Sequence, residues 1–137
     1  MIIWCASYPK SGNTWVRAII TSLIYSENGI FNFDMLRKVS LFPKRFYFKD
    51  FIDDYSDLKK VSQYWIDAQE KINSDGKIRI LKTHNGNYNF LGKDFTNKKN
   101  TLGVIYVVRD PRNIITSISN HYQLNTEQSL NFLLDEK

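Results

Sequence analysis

The sequence predicts an α/β fold in which a parallel sheet carries helices on both faces. Three short apolar runs, at residues 2–7, 78–83 and 102–108, have the length and composition of strands. Long segments with helical spacing separate them, and this alternation is typical of right-handed crossovers between parallel strands. Polar loops follow all three runs. They should therefore gather at the carboxyl edge of one sheet, where ligands bind in such folds.

Size and composition limit the class of protein. The 137 residues fit one domain over residues 1–137, and the single cysteine, Cys5, excludes an intramolecular disulfide. No run reaches the roughly 18 apolar residues of a membrane helix, and the few residues before Tyr8 leave no space for a signal peptide. We therefore expect a cytoplasmic protein without a membrane partner. The net charge of +5 is dispersed through loops, so we expect a small anionic ligand and no nucleic acid.

The first strand leads through the loop 8–13 into a helix that ends after Tyr25. Asn28-Gly29 supplies the stop, and Ser11 or Asn13 is the expected N-cap. Residues 30–56 are rich in aromatic side chains without a sustained period. They predict short helices and loops. Their aromatic side chains either close the core, which we favour, or line a pocket for a substrate. The helical series consists of Trp15, Ala18, Ile19, Ser22 and Leu23.

The remaining elements follow from similar patterns. Residues 57–72 have helical spacing, and 86–100 form a polar loop in which 88–91 is a candidate short helix. The run 102–108 is the most apolar in the chain and predicts a strand covered on both faces. A helix then begins at Pro111 with Asp110 as its cap, and a last helix runs from Thr126 to the end. The expected buried stripe of the Pro111 helix is Ile114, Ile115, Ile118 and Tyr122.

The first loop contains the residue types of an anion site. Gly12 permits close backbone approach, and the helix that follows directs its free N–H groups toward one point. Lys10 adds positive charge, while Ser11 and Thr14 can donate hydrogen bonds to phosphate or sulfonate oxygens. An ordinary strand-to-helix turn is the alternative, which the full combination of residues disfavours. The lysine precedes the glycine, unlike in the loop of nucleotide triphosphatases.

The second loop contains a candidate base, and the third loop contains candidate phosphate-binding residues. His84 ends the segment Lys82-Thr83-His84, and neutral imidazole is suited to deprotonating an acceptor hydroxyl. Arg109 can hold a phosphate through two N–H groups, with Ser117 eight positions later as a hydroxyl donor. Taken singly, each has a plainer alternative. For the second loop the alternative is a structural histidine at a strand end. For the third loop it is a helix start at which Arg109 pairs with an acid.

Together and in this order, the three loops resemble those of the sulfotransferases that use 3′-phosphoadenosine 5′-phosphosulfate (PAPS) as sulfuryl donor. The resemblance implies a P-loop-like three-layer sandwich that needs no metal. It also implies that this chain corresponds to the N-terminal part of a longer domain, with the sheet incomplete at the C-terminus. The implied catalytic residues are His84, Lys10 and Lys82. The implied donor-binding residues are Lys10, Ser11, Gly12, Asn13, Thr14, Trp15, Arg109 and Ser117.

Three questions stay open at this point. Trp15 either stacks on adenine, as the resemblance implies, or faces the core. Asn85-Gly86 stands where many members acting on small molecules carry an apolar residue and proline, so the acceptor class stays open; we expect a small molecule or a carbohydrate. The alternatives to a sulfotransferase are a kinase with Asp110 as magnesium ligand, and a non-catalytic PAPS-binding module or a piece that a partner chain completes. The interpretation requires Lys10 and Arg109 to be close enough for one ligand to touch both.

Overall fold

The computed structural model describes residues 1–134; positions 135–137 of the predicted last helix lie outside that range. The strands are β1 Ile2–Ser7, β2 Arg79–Thr83, β3 Asn89–Phe90, β4 Lys93–Asp94 and β5 Thr101–Val107. The helices are α1 Asn13–Tyr25, α2 Leu58–Ser62, α3 Trp65–Asn73, α4 Pro111–Tyr122 and α5 Thr126–Leu134. A parallel sheet of order β2-β1-β5 lies between helices, which confirms the predicted fold class.

The central strand β1 is buried because its alternate residues enter two different cores. Trp4 packs on Phe42 and Phe95, with ring centroids 5.5 and 5.2 Å away, and α2 and α3 cover this face of the sheet. Cys5 lies on the opposite face, beneath α1. The aromatic segment 30–56 forms two short 3₁₀ helices, Phe33–Lys38 and Arg45–Tyr47, and the expected core role is confirmed for Phe42 and Phe48.

The helix α1 turns a different face to the sheet from the one its apolar series suggests. Val16 and Ile20 pack toward Cys5, whereas Trp15 is 79% exposed and Leu23 is 77% exposed. The physical reason lies at the start of the helix, where the Asn13 amide donates to the Cys5 carbonyl at 3.0 Å and fixes the rotation of the helix. The expected capping was wrong. Gly12, which has no side chain, occupies the N-cap position, and neither Ser11 nor Asn13 caps the helix.

Two details of the middle segment differ from prediction. The helix expected over 57–72 is divided into α2 and α3 at Tyr64, whose ring stacks on Phe51, and the division precedes the fully buried Trp65. The short helix expected at 88–91 is wrong, because β3 and β4 form an antiparallel hairpin there. Its two-residue turn, Leu91-Gly92, has φ values of 51° and 81°. Such turns usually carry Asn-Gly or Asp-Gly, so the leucine conceals the signal.

The expectation that β5 is covered on both faces was wrong. Val104 is 59% exposed and Tyr106 is 67% exposed. The strand lies at the edge of the sheet, and within residues 1–134 no further strand pairs with its outer side. The apolar composition that predicted coverage is the composition of a central parallel strand. This strand therefore occupies an edge position with side chains suited to an interior one.

The start of α4 is as predicted. Asp110 accepts a hydrogen bond from the Arg112 backbone N–H at 2.9 Å, and Pro111 occupies the first turn. Ile114 and Ile118 are buried, but Tyr122 is 47% exposed because its ring packs on Phe132 of α5 rather than in the core. Within the described part of the chain, no helix combines the length and apolar character required to cross a membrane.

Candidate active site

The three strand-to-helix loops meet around one cavity of about 450 Å³ at the carboxyl edge of the sheet. They meet there because β2, β1 and β5 are adjacent and parallel, so their ends point the same way. Every residue predicted for the site except Ser11 lines this cavity. The lining residues are Pro9, Lys10, Gly12, Asn13, Thr14, Trp15, Lys82, His84, Arg109, Ser117, His121 and Tyr122. A cavity of about 520 Å³ on the opposite face contains none of the predicted residues.

The first loop has the backbone conformation that is typical of an anion-binding loop. Lys10 and Gly12 adopt left-handed conformations, with φ of 67° and 99°. Gly12 has no side chain to cap α1, so the first N–H groups of that helix are left to face the cavity. The Ser11 hydroxyl is buried and has no hydrogen-bond partner within the described residues. A buried hydroxyl without a partner is costly, and a bound anion is one group that could supply it.

Asn13 serves the architecture of the loop as well as its chemistry. Its amide nitrogen donates to the Cys5 carbonyl at 3.0 Å and to the Ser7 hydroxyl at 3.1 Å, and the residue is buried. The side chain therefore ties the start of α1 to the end of β1. Its predicted contribution to donor binding rests on its position in the cavity wall.

We expect Asn13→Ala to lower the free energy of unfolding by about 1–3 kcal/mol, because it leaves buried partners on β1 unsatisfied. The measurement is urea denaturation followed by tryptophan fluorescence. Asn131→Ala is the matched control, since Asn131 is exposed on α5 and should change stability by less than about 0.5 kcal/mol. Equal losses in the two variants would contradict the assigned role.

The imidazole of His84 is held in one tautomer. Its Nδ1 lies 2.7 Å from the Ser7 carbonyl oxygen, which can only accept, so Nδ1 carries the proton and Nε2 has the free lone pair. The Ser7 hydroxyl, 3.3 Å from Nδ1, also connects this ring to Asn13. Burial lowers the pKa of His84, as do the charges of Lys82 and Arg17, against the opposing effect of the Ser7 hydrogen bond. The lowered pKa therefore favours the neutral form of the ring at neutral pH.

Lys82 and Arg17 form a positive region next to His84. Burial lowers the pKa of Lys82, and the charge of Arg17 lowers it further. Lys82 is opposite Cys5 in the parallel ladder, on the face of the sheet that α1 covers. Sequence reasoning did not single out Arg17, because an arginine within a helix usually indicates a solvent-facing position.

The third loop lies directly against the first. The Arg109 guanidinium donates from Nη1 to the Lys10 carbonyl at 3.0 Å, so the two residues are neighbours and not at opposite edges of the sheet. The predicted alternative of an Arg109–acid pair is not observed among the described residues; the acid at this turn, Asp110, pairs with Arg112 instead. Ser117 lines the same cavity two helical turns into α4.

Three further residues lie in the cavity wall. Trp15 is exposed, so the core-facing alternative is wrong. His121 and Tyr122 were not predicted for the site, although His121 is four residues after Ser117 and hence on the same helical face. That spacing was the signal that could have identified it.

Asp110 is poorly placed to act as a magnesium ligand. Its carboxylate accepts from the backbone and side-chain N–H groups of Arg112, which hold the pKa of Asp110 below its usual range. Within residues 1–134 no group of three or more His, Cys, Asp or Glu side chains could hold a metal ion.

Comparison with known families agrees with the geometry. A family model described as the sulfotransferase domain matches residues 2–135. No curated protein and no solved structure shows a significant match. The matched range includes all three loops of the cavity.

Proposed function

This chain belongs to the sulfotransferase domain family, and from that membership we propose that it transfers a sulfuryl group from PAPS to a hydroxyl or amine acceptor. One observation carries the proposal. The hydrogen bond from Arg109 to the Lys10 carbonyl joins two anion-binding loops around a single cavity. Such a cavity suits a nucleotide that is negatively charged at both ends, and the 3′-phosphate is the group that distinguishes PAPS from ATP.

The residues of the cavity fit this donor. The α1 N-terminus with Lys10 and Thr14 would hold the 5′-phosphosulfate, and Arg109 with Ser117 would hold the 3′-phosphate. The exposed ring of Trp15 would stack on the adenine. The Ser11 hydroxyl, which is buried within the first loop and has no hydrogen-bond partner among residues 1–134, supports an anionic ligand at this loop.

The side chains of the cavity also fit the reaction. The donor supplies the sulfuryl group and departs as 3′,5′-adenosine diphosphate. His84 takes the proton of the acceptor on Nε2, since Nδ1 is engaged with the Ser7 carbonyl. Lys10 and Lys82 stabilise the negative charge that develops on the transferring group and on the leaving phosphate, so the proposed chemistry does not call for a metal.

A binding module without turnover is the second candidate. The exposure of β5 favours it, because within residues 1–134 this edge strand carries the apolar side chains of an interior strand, as expected of a piece whose sheet another chain completes. A kinase is disfavoured by Lys10, which precedes the loop glycine, and by the engagement of Asp110 with Arg112.

A sulfuryl-transfer assay distinguishes these candidates. The chain is incubated with PAPS and mixed phenol, carbohydrate and amine acceptors in the presence of EDTA, and 3′,5′-adenosine diphosphate is measured. The proposal predicts product only when an acceptor is present. Nucleotide binding without product would support the binding module, and magnesium-dependent phosphoryl transfer from ATP would support the kinase.

A further inference from the structure

Arg17 lies one helical turn after Asn13 on α1, and therefore on the same side of the helix as that cavity-lining residue bonded to β1. Its Nη2 donates to the Leu36 carbonyl at 2.6 Å, within the 3₁₀ helix Phe33–Lys38. Its Nε is buried and has no hydrogen-bond partner within the described residues. Burial lowers the pKa of Arg17, yet a guanidinium stays charged at neutral pH. The chain therefore keeps a partly buried positive charge, for which one side-chain hydrogen bond is found among residues 1–134.

The charge of Arg17 acts on the groups around His84. Cys5 and Lys82 are neighbours in the β1–β2 ladder beneath α1, and Val16, the residue before Arg17, packs toward Cys5. Burial raises the pKa of Cys5 while Arg17 and Lys82 lower it. Other titratable or charged groups share the cavity with His84: Lys10, Lys82, Arg109, His121 and Tyr122.

We infer that Arg17 is a positioning residue, which anchors the 3₁₀ helix Phe33–Lys38 to α1 and fixes a positive charge behind Lys82 and His84. The role rests on the proposed function in one respect, the assignment of His84 as base. A fixed cation at this place opposes protonation of the imidazole and of the Lys82 amine, so Nε2 of His84 stays available to accept a proton. Arg17 is not among the residues that line the cavity, and so it acts through its neighbours.

The test is an NMR titration of the two histidines in the free chain. Arg17→Gln removes the charge but keeps an N–H donor for the Leu36 carbonyl, and Arg17→Lys keeps the charge but removes the guanidinium fork. We expect the midpoint of His84 to move to higher pH in Arg17→Gln and to stay near the wild-type position in Arg17→Lys.

Arg37→Gln is the matched surface control, because it removes a charge from a side chain that is 86% exposed, in the segment that Arg17 anchors. Arg17→Met, which keeps the apolar stem, is a second neutral variant if Arg17→Gln does not fold. The inference is overturned if Arg17→Gln and Arg17→Met leave the midpoint of the His84 titration unchanged. It is also overturned if Arg17→Lys or Arg37→Gln moves that midpoint as far as Arg17→Gln or Arg17→Met does. No nucleotide or turnover enters this experiment, so its failure is distinct from failure of the proposed sulfotransferase activity.

Discussion

Arg109→Ala is expected to weaken binding of 3′,5′-adenosine diphosphate by roughly 10- to 100-fold. Charge-assisted hydrogen bonds contribute about 1.5–3 kcal/mol, and the alanine would remove those that we propose Arg109 makes to the 3′-phosphate. It also removes the hydrogen bond to the Lys10 carbonyl, which braces the loop for the 5′ end of the ligand. Isothermal titration calorimetry at fixed salt measures the loss.

The matched control for this variant lies three residues away. Arg112 is also an arginine at the start of α4, but its side chain is 89% exposed and pairs with Asp110. We expect Arg112→Ala to change the affinity by less than about threefold, as for an ordinary surface substitution. If both variants lost affinity equally, the effect would reflect net charge and not a specific phosphate clamp.

His84→Ala should lower the rate of sulfuryl transfer by roughly 100- to 10,000-fold, the usual contribution of a general base. The affinity for 3′,5′-adenosine diphosphate should stay within a few-fold of wild type, because the proposed nucleotide-binding residues are Lys10 and Arg109 and not His84. Stopped assays with the best acceptor, combined with calorimetry, separate the two effects. A parallel loss of affinity and rate would indicate that His84 binds the donor rather than acting as a base.

The pH dependence follows from the direction of the His84 pKa shift. A base functions when it is deprotonated, so the transfer rate should rise with pH through the pKa of His84. Burial lowers that pKa from its ordinary value of about 6.5, so the rise should be nearly complete at neutral pH. The same acid limb should be absent from the residual activity of His84→Ala.

The cavity could be predicted from the sequence because it depends on strand ends. Once three parallel strands are recognised, their loops must meet, and no detailed packing is needed to bring Lys10 beside Arg109. Asp110 and Pro111 similarly predicted the start of α4, since capping is a local property.

Features that depend on tertiary contacts were not predictable in the same way. The rotation of α1 is fixed by hydrogen bonds from Asn13 to β1, which outweigh the apolar series containing Trp15 and Leu23. The apolar composition of β5 is typical of a covered strand, but composition does not reveal whether other elements of the fold cover it. The role proposed for Arg17 arises because α1 turns its guanidinium toward the Leu36 carbonyl, and no local sequence pattern shows that orientation.

The central claim is that one nucleotide contacts both loops at once. A ¹H–¹⁵N NMR titration with 3′,5′-adenosine diphosphate would follow the backbone amides of Gly12 and Thr14 in one loop, and of Arg109 and Ser117 in the other. We expect both groups of signals to shift and saturate with a single dissociation constant, and 5′-adenosine monophosphate to shift the first group more than the second. Separate dissociation constants, or shifts confined to one loop with the bisphosphate, would contradict it.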